Sequence, residues 1–127
     1  VHICANTDWS LVLESSVDIL SFDAYAYFDR FILYPDQIKK FLEFGKILAW
    51  GIVPTLNVEQ LERETVTSLL SQWDEQVKRF ESLGIDVQKL TAQSLITPSC
   101  GTGSLSIDLA KKVLTLTRAI SQEIRER

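Results

Sequence analysis

An α/β fold built on a parallel sheet is the class this sequence predicts, on three observations. Four apolar runs rich in β-branched and aromatic residues alternate with stretches of helical periodicity. The intervening stretches are long enough to hold crossover helices, which parallel strands require. The runs are also nearly continuous in apolar residues, as in Ile47-Leu48-Ala49-Trp50, the pattern of strands buried on both faces. At 127 residues the chain is expected to form a single domain over 1–127, long enough to bury a sizeable core.

The first run is Val1 to Ala5, followed by a weak helical stretch from Trp9 to Glu14. The second run is Val17 to Ala24. Pro35 or Asp36 then opens a helix whose apolar face is Ile38, Phe41, Leu42 and Phe44, and Gly45 closes it. Ile47 to Pro54 is the third run. The longest periodic stretch, Asn57 to Gly84, places Leu61, Val66, Leu69, Leu70, Trp73, Val77 and Phe80 on one stripe. Asn57 with Gln60 has the spacing of a capping box, and Gly84 suits the left-handed position that ends a helix. The fourth run is Gln93 to Thr97. A last helix runs from about Ser106 into Arg125-Glu126-Arg127, with Leu109, Val113, Leu116, Ile120 and Ile124 inward.

The order is β-α-β-α-β-α-β-α, which admits two architectures. One is a small doubly wound sheet. The other is half of a (β/α)8 barrel, whose full form takes about 250 residues. The chain opens directly in a strand-like run and contains no methionine, so it is expected to be a piece of a longer protein.

Charge narrows the function classes. Seventeen acidic residues against 13 basic ones give a net charge of -4, which argues against a nucleic-acid binder, since that needs a basic patch. No apolar run reaches the roughly 18 residues of a membrane span, and no signal-peptide pattern opens the chain. Two cysteines are too few for a disulfide scaffold. A reducing cytoplasm is the expected compartment.

The chemistry gathers at strand ends. His2 is the only histidine and stands two residues before Cys4, so on an extended strand both side chains project from one face. Asp23 holds the matching end of the second run, and Cys100 follows the fourth in Pro98-Ser99-Cys100-Gly101. Imidazole, two thiols and a carboxylate are donors that zinc takes in tetrahedral array. His-x-Cys alone is a weak signal, because a free cysteine is often just a small buried apolar residue. A Cys4–Cys100 disulfide is the other alternative, disfavoured in a reducing compartment. With Asp23 and Cys100 at corresponding positions, a mononuclear zinc site with ligands His2, Cys4, Asp23 and Cys100 is expected.

These residues resemble a known family. His2-x-Cys4, a carboxylate near the next strand end, and Pro98-Ser99-Cys100-Gly101 are similar to the zinc-binding His, Cys, Glu and Cys in the C-terminal barrel of cobalamin-independent methionine synthase. Trp50-Gly51-Ile52-Val53-Pro54-Thr55 resembles a branch of that superfamily, which also includes uroporphyrinogen decarboxylase. The resemblance covers essentially the whole chain and implies the last four βα units, the C-terminal half, of a TIM-type barrel. It further implies zinc as cofactor, and methyl transfer from a folate or methylcorrinoid donor to a zinc-activated thiol.

Three departures bear on that reading. Asp23 stands where the synthase has Glu. The loop after the third strand, Gly51 to Thr55, has no histidine where the synthase has a catalytic one. The residues that bind the amino-acid end of homocysteine come largely from the other barrel half. Two alternatives follow, a non-catalytic metal-binding or scaffold fragment and a uroporphyrinogen decarboxylase-like enzyme.

Substrate-pocket candidates are Asn6, Tyr25 and Trp50, each with a structural alternative. Asn6, with Thr7 and Asp8, also suits a helix cap or the orientation of metal ligands. Tyr25 lies in an aromatic cluster that also suits packing, and Trp50 also suits the barrel interior. Gly101-Thr102-Gly103-Ser104 reads as a turn before a helix. Two open sheet edges and an open inner face predict self-association or pairing with the missing barrel half.

Overall fold

All four strands form where the apolar runs predict them: β1 (His2–Ile3), β2 (Ile19–Phe22), β3 (Ile47–Val53) and β4 (Ser94–Pro98). The computed structural model describes residues 1–127. The strands pair in the order β1-β2-β3-β4, parallel throughout. Chain order and spatial order therefore coincide. Crossovers between parallel strands are right-handed, so an unbroken series of one-step crossovers lays its helices on one face. A doubly wound sheet instead reverses its strand order, which puts helices on both faces. This sheet has no reversal, and its architecture is that of half a βα barrel.

Helix α1 (Trp9–Leu13) joins β1 to β2, while α2 (Ala24–Phe31) and α3 (Pro35–Glu43) join β2 to β3. Three helices join β3 to β4: α4 (Val58–Arg63), α5 (Val66–Ser82) and α6 (Val87–Ala92). Helix α7 (Ile107–Arg125) follows β4. Gly45 and Gly84 take positive φ, 76° and 83°, as expected of residues that end α3 and α5.

Two helices were not expected and one was expected to be continuous. The aromatic cluster after β2 is helix α2, because the Asp23 side chain caps it by accepting from the Ala26 N–H. Asp86 starts α6 in the same way, through the N–H groups of Gln88 and Lys89. The stretch from Asn57 to Gly84 breaks at Glu64-Thr65. Asn57 caps α4 through Gln60 N–H, but the reciprocal capping box forms at Thr65 and Ser68. A threonine hydroxyl that competes for backbone N–H groups favours such a restart. The apolar stripe survives the break, with Leu61, Leu69, Trp73 and Phe80 all buried.

Strand register sorts the two faces. Ile3, Phe22, Trp50 and Ile96 form one row, and the row Leu20, Leu48 and Ser94 lies on the same face. Helices cover this face. Trp50 meets Trp73 and Phe80 of α5 edge-on, and Phe22 stacks on Phe31 of α2. The opposite face carries the row His2, Ser21, Ala49 and Leu95. It lies largely open: His2 is exposed, Ile19 is 41% exposed and Leu95 48%. Burial on both faces, expected for every strand, holds along β3 alone. Phe44, expected on the buried face of α3, is its exposed C-terminal cap.

Candidate metal centre

In sheet order β1 and β4 are the two edges. Three strand spacings of about 4.8 Å would put residues at their ends some distance apart, yet the structure brings Cys100 to Cys4. The route runs over Gly51. A Cβ at that position would lie 2.7 Å from the Phe22 carbonyl and 2.7 Å from the Ser99 Cα. The chain leaving β4 therefore turns across the end of β3 toward β2, through space that only a glycine leaves free.

Hydrogen bonds hold it there. Ser99 N–H donates to the Val53 carbonyl at 2.8 Å. Ser99 Oγ accepts from Thr55 N–H at 3.1 Å and lies 3.0 Å from Thr55 Oγ1. Both residues are buried. Buried hydroxyls with partners in fixed directions anchor a loop much more firmly than solvated ones, and Cys100 is the next residue out.

At the other edge, His2 projects from the open face beside its register partner Ser21, with Nδ1 2.7 Å from Ser21 Oγ. When Nδ1 donates that bond, Nε2 carries the lone pair available to a ligand. Cys4 follows two residues later and is exposed, whereas Cys100 is half-buried. Donor atoms of His2, Cys4 and Cys100 all lie within 4.8 Å of one another, and the group could hold a metal ion. The Cys4 thiol is pushed up from its ordinary pKa, chiefly by the Cys100 sulfur beside it and in small part by the charge of Asp23.

Asp23, expected as a fourth ligand, stands outside this group. It lies at the end of β2 as predicted, but it is 2% exposed, and its carboxylate accepts from Ala26 N–H at 2.9 Å. The same oxygen chemistry that suits a metal suits a helix N-terminus, and here the helix takes it. Burial pushes its carboxyl pKa up, against the opposing effects of the Ala26 and Tyr25 N–H groups and His2.

The pocket candidates also find other partners. Asn6 Oδ1 accepts from the Trp9 indole at 3.2 Å, and Asp8 caps α1. Tyr25 donates from its hydroxyl to Glu64 at 2.7 Å, tying α2 to the α4–α5 junction. Burial and that carboxylate push the phenol pKa up. Trp50 is wholly buried under α5, and its indole donates to Ser94 Oγ. It sits on the face opposite His2, so neither the barrel interior nor a pocket above the metal group receives it. Sequence reasoning missed Ser21, Gly51, Thr55 and Ser99 as supports of the trio. Nothing in their spacing marks them, because their roles depend on strand register and on the path of one loop.

Comparison with models of known families, with curated proteins and with solved structures finds no match to this chain. What the fold and site define is a class, a βα half-barrel sheet whose strand ends gather one imidazole and two thiols.

Proposed function

We propose that the chain is the zinc-binding part of a methyltransferase-like βα barrel that activates a thiol for methyl transfer. The observation that carries this reading is the convergence of His2, Cys4 and Cys100 from opposite sheet edges. One nitrogen and two sulfurs form a donor set that zinc favours over harder cations. Tetrahedral zinc holds such atoms about 3.4–3.8 Å apart, as bond lengths of about 2.0–2.3 Å dictate. Small side-chain rotations bring a group within 4.8 Å to that spacing.

Bound zinc would supply stabilisation of a substrate thiol as its nucleophilic thiolate near neutral pH. His2 presents its imidazole from the open sheet face, held by Ser21. Cys4 and Cys100 supply sulfur from the rim. With Asp23 engaged at α2, three protein ligands leave a fourth position for an incoming thiol, the arrangement of catalytic rather than structural zinc sites. Asp23 adds a buried negative charge behind the group. A folate or methylcorrinoid donor would approach from the uncovered side.

Metal analysis tests this. The purified chain, reduced and dialysed against limiting zinc, should retain one equivalent by elemental analysis, and Cys100→Ser should retain far less. Equal zinc in both would overturn the assignment.

One observation favours a second reading, a non-catalytic metal-binding protein. The segment Gly51 to Thr55, where the synthase-like pattern has its catalytic histidine, is buried throughout and carries no ionisable side chain. Zinc retention without methyl transfer to a thiol, by the chain joined to a complementary barrel half, would select it.

A further inference from the structure

We infer that Cys4 and Cys100 form a site of reversible oxidative modification, a dithiol that low-molecular-weight disulfides convert into an intramolecular disulfide. Ninety-six positions separate the two cysteines in the sequence, yet the fold puts their sulfurs within 4.8 Å. Both are free thiols, and they are the only two in the chain. They differ in access. Cys4 is exposed, lies just beyond the two-residue edge strand β1, and is the thiol that an oxidant meets first. Cys100 is half-buried and sits where it can act on what Cys4 becomes.

The exchange balances without any further reagent. The Cys4 thiolate attacks one sulfur of a disulfide RSSR, an S–S bond forms to Cys4, and RS⁻ leaves and takes up a proton. The Cys100 thiolate then attacks the Cys4 sulfur and expels the second RS⁻, which is protonated in turn. Two protein thiols are oxidised to one disulfide, and RSSR is reduced to two RSH.

Closing the sulfurs to bonding distance needs a movement of a few ångströms, and the surroundings of exposed Cys4 and of the loop after Cys100 leave room for it. Ser99 is fixed by its bonds to Val53 and Thr55, but just beyond Cys100 both glycines stand exposed in open space. A Cβ built at Gly101 or Gly103 meets nothing within 4 Å. Neither cysteine belongs to the buried core, so the rearrangement leaves the packing intact. The pair requires only two sulfurs, so it stands or falls separately from metal binding. Where a metal is held, its two thiolate ligands are the atoms consumed, and the two states exclude each other.

The test uses the reduced chain, freed of metal by a chelator, and oxidised glutathione as the probe. Samples are alkylated at intervals and weighed by intact mass spectrometry. The expected result is loss of both alkylation sites together, a mass two hydrogens lower, and a digest that joins the Cys4 and Cys100 peptides. Cys100→Ser should stop at a glutathione adduct on Cys4. In concentrated urea the unmutated chain should accumulate adducts instead, because the fold no longer supplies the second thiol. Stable adducts on the folded chain with Cys100 still alkylatable, disulfide-linked dimers, or equal behaviour in urea and in buffer would overturn the inference.

Discussion

Replacing Gly51 by alanine tests the geometry that brings Cys100 across the sheet. The added methyl would meet the Phe22 carbonyl and the Ser99 Cα, both backbone atoms, at 2.7 Å. Ordinary contact begins near 3.4 Å, so the segment over β3 must recede by about 0.7 Å. Overpacking of this kind costs about 1–3 kcal/mol. A shift of that size also stretches the 3.1 Å bond from Thr55 N–H to Ser99 Oγ past useful length. A buried N–H left without a partner costs about 1–3 kcal/mol. Some relaxation is shared between the two, so about 2–4 kcal/mol is expected in all. Small domains have total stabilities of about 5–15 kcal/mol. With a urea slope of about 2 kcal/mol per molar, the middle of the usual range, the unfolding midpoint should fall by roughly 1–2 M. Gly101→Ala is the control, since a Cβ there meets nothing, and its midpoint should stay near that of the parent chain. Gly51→Ala unfolding at the parent midpoint would refute the crossing geometry, whatever its zinc content.

Asp23→Asn keeps a good N-cap and removes a buried charge, so it should match or exceed the parent stability near neutral pH, while Asp23→Ala should lose about 1 kcal/mol. The Asp23 carboxyl is held above its ordinary pKa, so the fold binds its proton more tightly than the unfolded chain does, and its contribution declines as pH rises through that interval. The advantage of Asp23→Asn should therefore grow with pH there; an advantage that shrinks would reverse the assignment, and a collapse of zinc affinity in this variant would make Asp23 a ligand. Ser21→Ala removes the partner that orients His2, and loss of such partners lowers metal affinity about 10–100-fold. Titration against a chromogenic chelator checks it, with little change in urea midpoint expected because the bond is exposed. The open face with Ile19 and Leu95 predicts concentration-dependent self-association in sedimentation, relieved by Leu95→Lys. A monomer at all accessible concentrations would mean that this face needs no cover.

Periodicity located the strands and most helix faces, because burial of Leu48, Trp50, Phe80 or Val113 is a local consequence of pattern and amphipathicity. It did not choose between a barrel-type and a doubly wound sheet, since strand order is a property of the whole chain. That the helix at Ala24–Phe31 was not expected has a plain cause: its initiating residue, Asp23, is also a plausible metal ligand, and one carboxylate chemistry serves both ends. Sequence position could not say which claim would win.

The site follows the same division. His2 and Cys4 share a face because residues two apart on a strand must, which any reader of the sequence can derive. Cys100 joins them for a reason that no local pattern carries. From the far edge strand it must pass over β3, and that passage depends on a missing side chain at Gly51 and on two hydroxyls, Thr55 and Ser99, that meet only in the folded state. The ligand trio and its tether thus rest on different kinds of residue. Donors are recognisable by their chemistry, while the tether consists of a glycine, a threonine and a serine that would pass as ordinary turn formers. A substitution at any of these three should move Cys100 while leaving the other two donors, His2 and Cys4, in place.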